Sequence, residues 1–218
     1  MKIIVTGATG MVGYGVLQTA LQDPQITEVL SLSRKPVGLS HPKLKELIVP
    51  DFYNLESLAD QLSGYDACLH SLGVSAVGMS EADYTRVTHD LSLHLAQTLL
   101  RLNPGMSFAY VSGKGTDAAS STMWARIKGQ TENDLLALPF RHVHMFRPGF
   151  IRAAPGARSS TPLYRFLYIL FRPFFPLILL SKDNATTSER LAAAMIRATR
   201  AGYSKPILES RDINALGA

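Results

Sequence analysis

The sequence predicts an α/β fold: a doubly wound parallel sheet formed by one domain spanning residues 1–218. Three observations lead there. Short apolar runs alternate with longer segments of helical period, the pattern of βαβ units. A glycine cluster follows the first apolar run directly, at Gly7, Gly10 and Gly13. No Gly-, Ser- or Pro-rich linker divides the chain.

The expected strands lie at about 2–6, 28–33, 46–49, 66–71, 107–112, 142–147 and 206–209, with helices between them at about 11–22, 54–63, 80–102, 120–138 and 186–201. Three starts carry capping residues: Asn54 before Leu55, Ser80 before Glu81, and a box from Thr186 to Glu189. Each supplies a side-chain oxygen to amides that lack a partner within the helix.

Residues 152–182 break the alternation and read as a pocket-capping insertion. The stretch holds five Pro and Gly residues around an apolar run, Phe166 to Leu180, interrupted by Arg172, Pro173 and Pro176. A membrane span needs roughly 20 predominantly apolar residues, so this run does not read as one. It reads as short helices or loops roofing a pocket, or as an interfacial anchor with an arginine rim that gives peripheral membrane contact through 163–180.

Composition narrows the function. The chain is 46% hydrophobic and 18% charged, which excludes disorder. The lone Cys68 gives no disulfide framework and no thiolate metal site, and points to a reducing compartment, with the cytoplasm as the expected location. The six histidines show no metal-ligand spacing. Net charge is only +5 and no recognition motif is visible, so nucleic acid is not an expected partner. Between Asp134 and Asp183, however, lie seven cations and no acid. That stretch suits an anionic neighbour, or is a set of solvated arginines on different faces.

The most informative residues run from Val5 to Gly13, with the spacing G-x-x-G-x-x-G rather than the commoner G-x-G-x-x-G. A tight turn leaves the strand, backbone without Cβ lets a pyrophosphate approach the helix amides, and the last glycine lets helix and strand pack closely. Gly7, Thr9, Gly10, Met11, Val12 and Gly13 are therefore candidate cofactor ligands. An NAD site usually carries an acid at the end of the second strand. Here that strand ends Ser33-Arg34-Lys35, with no acid between Glu28 and Glu46. A guanidinium at Arg34 suits a 2′-phosphate, so the expected cofactor is NADP(H). Asp51 and Phe52 after the third strand suit an adenine, although Asp51 serves equally as a cap. Ser71, Leu72 and Gly73 end the fourth strand, where open α/β sheets bind ligands. His70 reads as a packed strand residue.

The chain resembles atypical and extended members of the short-chain dehydrogenase/reductase superfamily, a Rossmann-type fold, and is similar to the small nucleoside-diphosphate-sugar epimerase-like and NmrA-like NAD(P)-binding proteins. The matching pieces are Thr6 to Gly13, Asp51, Tyr84-x-x-Val87-x-x-Asp90, Val111-Ser112-Gly113, Lys128-Gly129-x-x-Glu132, Phe146-Arg147-Pro148-Gly149 and Thr186 to Ala192. The resemblance implies catalytic roles for Ser112 and Lys128, with Lys128 also on the cofactor ribose. It places Arg147, Pro148 and Gly149 beside the nicotinamide, with Arg147 free for a pyrophosphate or an acidic substrate. It implies an oxidoreductase-like activity on a small carbonyl, quinone or sugar-nucleotide compound. The chain departs from the family at the tyrosine of the Tyr-x-x-x-Lys motif, where Trp124 stands. An indole donates a hydrogen bond but is no proton donor near neutral pH. Tyr110 stands in as a substitute phenol or packs against a helix. A non-catalytic NADP(H)-sensing or membrane-surface assembly role is the alternative. Oligomeric state and substrate identity are not legible.

Overall fold

The computed structural model describes residues 1–157 and 181–218. The membrane-contact segment 163–180, and most of the expected capping insertion, lie outside the described residues.

Seven strands form one parallel sheet: β1 (Lys2–Thr6), β2 (Glu28–Ser33), β3 (Leu44–Ile48), β4 (Ala67–His70), β5 (Ser107–Val111), β6 (Val143–Arg147) and β9 (Ile207–Glu209), in the order β3-β2-β1-β4-β5-β6-β9. The order reverses beside β1, between β2 and β4, which opens a crevice at the strand carboxyl ends. A parallel sheet buries both faces, and the side-chain alternation shows it. Ile3 and Val5 pack towards α1 (Met11–Gln22) and α6 (Ser188–Ala201). Ile4, Leu30 and Leu32 face the opposite layer, which includes α2 (Ala59–Leu62) and α4 (Leu91–Leu102). Phe108, Tyr110 and Met145 continue that second core, against Leu135 of α5 (Met123–Leu136).

Several elements differ from the expectation. Residues 54–63 form a 3-10 turn, Glu56–Leu58, followed by the single-turn α2, and Asn54 caps nothing. The expected helix over 80–102 is α3 (Glu81–Thr85), a π turn over Arg86–Asp90, then α4. Ser80 caps α3, accepting the Asp83 amide at 3.1 Å. The cap of α6 is Thr187, which accepts from the Arg190 amide; Thr186 instead bonds Asn214 at 2.8 Å. A two-stranded sheet of β7 (Phe150–Arg152) and β8 (Ala185–Thr187), and the helix α7 (Ser210–Leu216), are additions. All three are too short for a period to show in sequence.

Candidate functional site

The site is built on the turn between β1 and α1. Gly7 has φ +73°, and a Cβ there would lie 2.6 Å from the Ser71 carbonyl oxygen. A Cβ on Gly13 would lie 2.1 Å from the Gly7 oxygen, so Gly13 packs the helix on the turn and does not line the crevice. Gly10 donates its amide to the Gly7 oxygen at 2.8 Å and starts α1 without any side-chain cap. The first amides of α1 therefore stand without a side-chain acceptor, at the positive end of the helix dipole, a setting for an anion.

Two hollows adjoin this turn, and a third lies beside them. The outer one, about 510 Å³, brings together Gly7, Thr9, Gly10, Ser33, Arg34, Lys35, Phe52, Ser71, Leu72 and Gly73. Among the described residues it holds no carboxylate. Arg34 is exposed at its edge and forms no ion pair among the described residues. Ser33 donates its hydroxyl to the Lys35 carbonyl at 2.7 Å, and Ser71 donates to the Thr6 carbonyl at 2.8 Å, which ties β4 to β1. A Cβ on Gly73 would meet nothing, so packing does not demand a glycine there. A neighbouring hollow of about 360 Å³ shares Arg34, Phe52 and Leu72 and adds Asp51, Tyr53, Arg86 and Val87. Asp51 accepts the Tyr53 amide at 3.0 Å, a local turn rather than a helix cap.

The inner hollow, about 580 Å³, shares Gly10, Ser71, Leu72 and Gly73 with the outer one and adds Met11, Val12, Ser112, Trp124, Lys128, Pro148 and Gly149. The expected ligands other than Arg147 thus line these adjoining hollows, Asp51 only the neighbouring one, with Gly13 beneath them. Trp124 and Lys128 share a helix face, four residues apart. Lys128 donates to the Ser112 carbonyl at 2.5 Å, and burial pushes its ammonium down to about 8, against the pull of Glu132. The Ser112 hydroxyl does not point at an open acceptor site. It donates to Glu132 Oε1 at 2.5 Å, and Glu132 is only 1% exposed.

Arg147 is apart from the crevice. Its guanidinium grips Glu132 through Nε and Nη2, at 3.1 and 2.5 Å, and reaches Glu209 at 3.5 Å. It borders a separate hollow with Lys114 and Arg211. A guanidinium so paired is a structural partner of Glu132, not a free anion ligand. Gly149 lines the inner hollow, but it also packs on the residue before β8: a Cβ would lie 2.2 Å from the Asn184 oxygen.

Two other side chains find their roles in the core. Tyr110 is buried, stacked on His70 with ring centroids 5.6 Å apart, and burial raises its phenol far above the ordinary value. It is no substitute acid. His70 is fully buried between Thr6 Oγ1 at 2.7 Å and Ser92 Oγ at 3.0 Å. Ser92 spends its proton on the Thr88 carbonyl at 2.6 Å, so it accepts from His70 Nε2–H, and Thr6 donates to Nδ1. Burial lowers the imidazole to about 4, which keeps it neutral.

Sequence reasoning missed Val74, Ser75, Lys114 and Ile151 on the inner walls, and Arg86 in the hollow beside Asp51. Only Arg86 had a signal, lying within the Tyr84-x-x-Val87 motif. Among the described residues no group of His, Cys, Asp and Glu is placed to hold a metal ion, and no helix is long and apolar enough to cross a membrane.

The model of the NAD dependent epimerase/dehydratase family matches residues 3–212. The chain is 32% identical over 159 residues to the protein fmp52, mitochondrial, of Aspergillus clavatus, covering 69% of this chain and 66% of that one. It is 28% identical over 152 residues to FMP52, mitochondrial, of Saccharomyces cerevisiae, covering 68% and 65%. It spans slightly less than two thirds of the length of these relatives. Among solved structures, a short chain dehydrogenase family protein from Francisella tularensis superposes with a TM-score of 0.66 at 15% identity, covering 92% of this chain and 91% of that one. DesIV, a dTDP-glucose 4,6-dehydratase from Streptomyces venezuelae solved with NAD bound, gives 0.69 at 16% identity, covering 100% and 80%. These two show the fold. The match over residues 3–212 shows the rest: the chain belongs to the NAD dependent epimerase/dehydratase family.

Proposed function

We propose that the chain binds NADP(H) and acts as an oxidoreductase on a small carbonyl or quinone compound. One observation carries the reading: the crevice runs unbroken from Arg34, past the uncapped start of α1, to Lys128. The uncapped start of α1 suits a pyrophosphate, and Gly7 and Gly13, where added Cβ atoms would collide with backbone, keep the turn tight against it. The NAD bound to the Streptomyces venezuelae dehydratase supports a pyridine nucleotide here. Arg34, with no acid in the outer hollow, supports the 2′-phosphate form. Lys128 would hold the ribose. Met11, Leu72, Val74, Trp124 and Ile151 give the inner hollow an apolar lining, which favours a carbonyl or quinone over a sugar nucleotide.

A second reading is favoured by Trp124: a protein that binds NADP(H) and turns nothing over. One assay separates the two, following absorbance at the reduced-nicotinamide band with NADPH and a panel of aldehydes, ketones and quinones. Turnover supports the enzyme; saturable NADPH binding without turnover supports the sensor. Peripheral membrane contact through 163–180 is a further proposal, tested by co-sedimentation with anionic vesicles. The cytoplasmic location is also proposed, and cell fractionation decides between it and the mitochondrial location named for the fungal relatives.

A further inference from the structure

We propose that Lys128 is itself the proton donor of the reaction, delivering a proton from Nζ to the carbonyl oxygen in place of the missing phenol. The proposal rests on the NADPH-dependent reduction read above. The inner hollow makes the argument by its short inventory of exchangeable protons. Ser71 has given its proton to the Thr6 carbonyl, Ser112 has given its own to Glu132, and Ser75 adds a third hydroxyl, which accepts the Val77 amide. Hydroxyls of this kind are hydrogen-bonding groups rather than acids near neutral pH, and so is the indole of Trp124. Lys114 sits on the exposed lip, turned to the Asp183 carbonyl and the Asn184 side chain. Among the described residues the lining holds no carboxyl, phenol, imidazole or thiol. Lys128 remains.

Its geometry suits the task. An ammonium has three N–H donors, and the structure shows one of them, on the Ser112 carbonyl, which anchors the group and leaves two. Trp124, one helical turn earlier, shares the same wall, so a substrate ring resting on the indole would present its oxygen beside Nζ. The charged groups around the amine are few. Glu132 lies one turn further along α5, but Arg147 from β6 neutralises it, and Glu209 beyond is paired to the same guanidinium. Tyr84 and Tyr110 are buried in the core and His70 is bonded on both nitrogens. With burial lowering the ammonium to about 8, the group holds its proton at neutral pH yet releases it far more readily than an exposed lysine.

The step balances. NADPH, when bound, would supply the hydride to the carbonyl carbon and be converted to NADP⁺. The C=O π pair moves onto oxygen, the oxygen takes a proton from Nζ, and the neutral amine regains one from water.

Two measurements test it. Competitive acylation of the intact protein by acetic anhydride, followed by mass spectrometry, gives the titration of the Lys128 amine without any turnover. The half-point is expected near 8; a half-point at the ordinary lysine value overturns the proposal. The second compares wild type with Lys128→Arg at saturating NADPH, using an aromatic aldehyde and an ortho-quinone. The arginine keeps the charge but cannot release a proton. The expected result is a loss of about 10²–10⁴-fold in rate, and disappearance of the alkaline limb, in which wild-type rate falls above about pH 8. Retained rate and limb in Lys128→Arg overturn the proposal alone. NADPH binding with no wild-type turnover overturns the reductase reading, and the proposal with it.

Discussion

Ser112 donates its hydroxyl proton to Oε1 of the buried Glu132 across 2.5 Å, and the same carboxylate is held by the guanidinium of Arg147. The carboxylate, one turn beyond Lys128 on α5, thereby locks the end of β5 to β6 and fixes the backbone carbonyl on which Lys128 rests.

Removing that carboxylate leaves the partly buried Arg147 guanidinium with only its longer contact to Glu209. Glu132→Ala is expected to destabilise the fold by about 3 kcal/mol, the low end for a broken buried pair because Arg147 keeps Glu209. Pairing Glu132→Leu with Arg147→Met is expected to recover most of the loss, since an apolar pair needs no charge partner. Urea denaturation of wild type and the two variants measures both. A double variant no more stable than Glu132→Ala contradicts this account of the pair.

Gly13→Ala is expected to abolish nucleotide binding, because its methyl would lie 2.1 Å from the Gly7 oxygen and force helix and turn apart. Gly73→Ala meets nothing and is expected to leave stability within about 0.5 kcal/mol. Thermal melts and NADPH fluorescence on the two variants check the contrast. Equal behaviour would remove the steric argument for the cradle.

His70 makes stability depend on pH. Its folded pKa is depressed to about 4 from an ordinary 6.5, so the unfolded chain binds the proton first on acidification. Stability from this group is full above about pH 6.5 and is lost as pH falls through the window towards 4. The total is on the order of 3 kcal/mol, because each unit is worth about 1.4 kcal/mol. Denaturation midpoints between pH 7.5 and 4 are expected to fall more steeply for wild type than for His70→Gln. Parallel slopes would show that another group carries the acid sensitivity.

Much of this was legible in the sequence, for identifiable reasons. β1, β2 and β4 to β6 are apolar runs buried on both faces, and the glycines mark the tight turn between β1 and α1, so fold and turn could be read together. The position of Arg34 at the edge of the outer hollow was legible because it directly follows a strand that could be read from its apolar run. Arg147 was not: its partner Glu132 is fifteen residues away on another element, and pairing across elements leaves no local period. Tyr110 was likewise decided by the helix layer above it, whose Tyr84 and Thr131 enclose the phenol. The π turn at Arg86–Asp90 follows from tertiary bonds such as that of His89 to Asp134, invisible to helix propensity.

Calorimetric titration of wild type and Arg34→Asp with NADPH and with NADH tests the central claim most directly. The account predicts saturable NADPH binding to wild type. The variant should lose about 10- to 100-fold of that affinity while NADH binding changes little, the worth of charge-assisted bonds to a 2′-phosphate. No heat with either nucleotide, or equal losses for both in the variant, would contradict it.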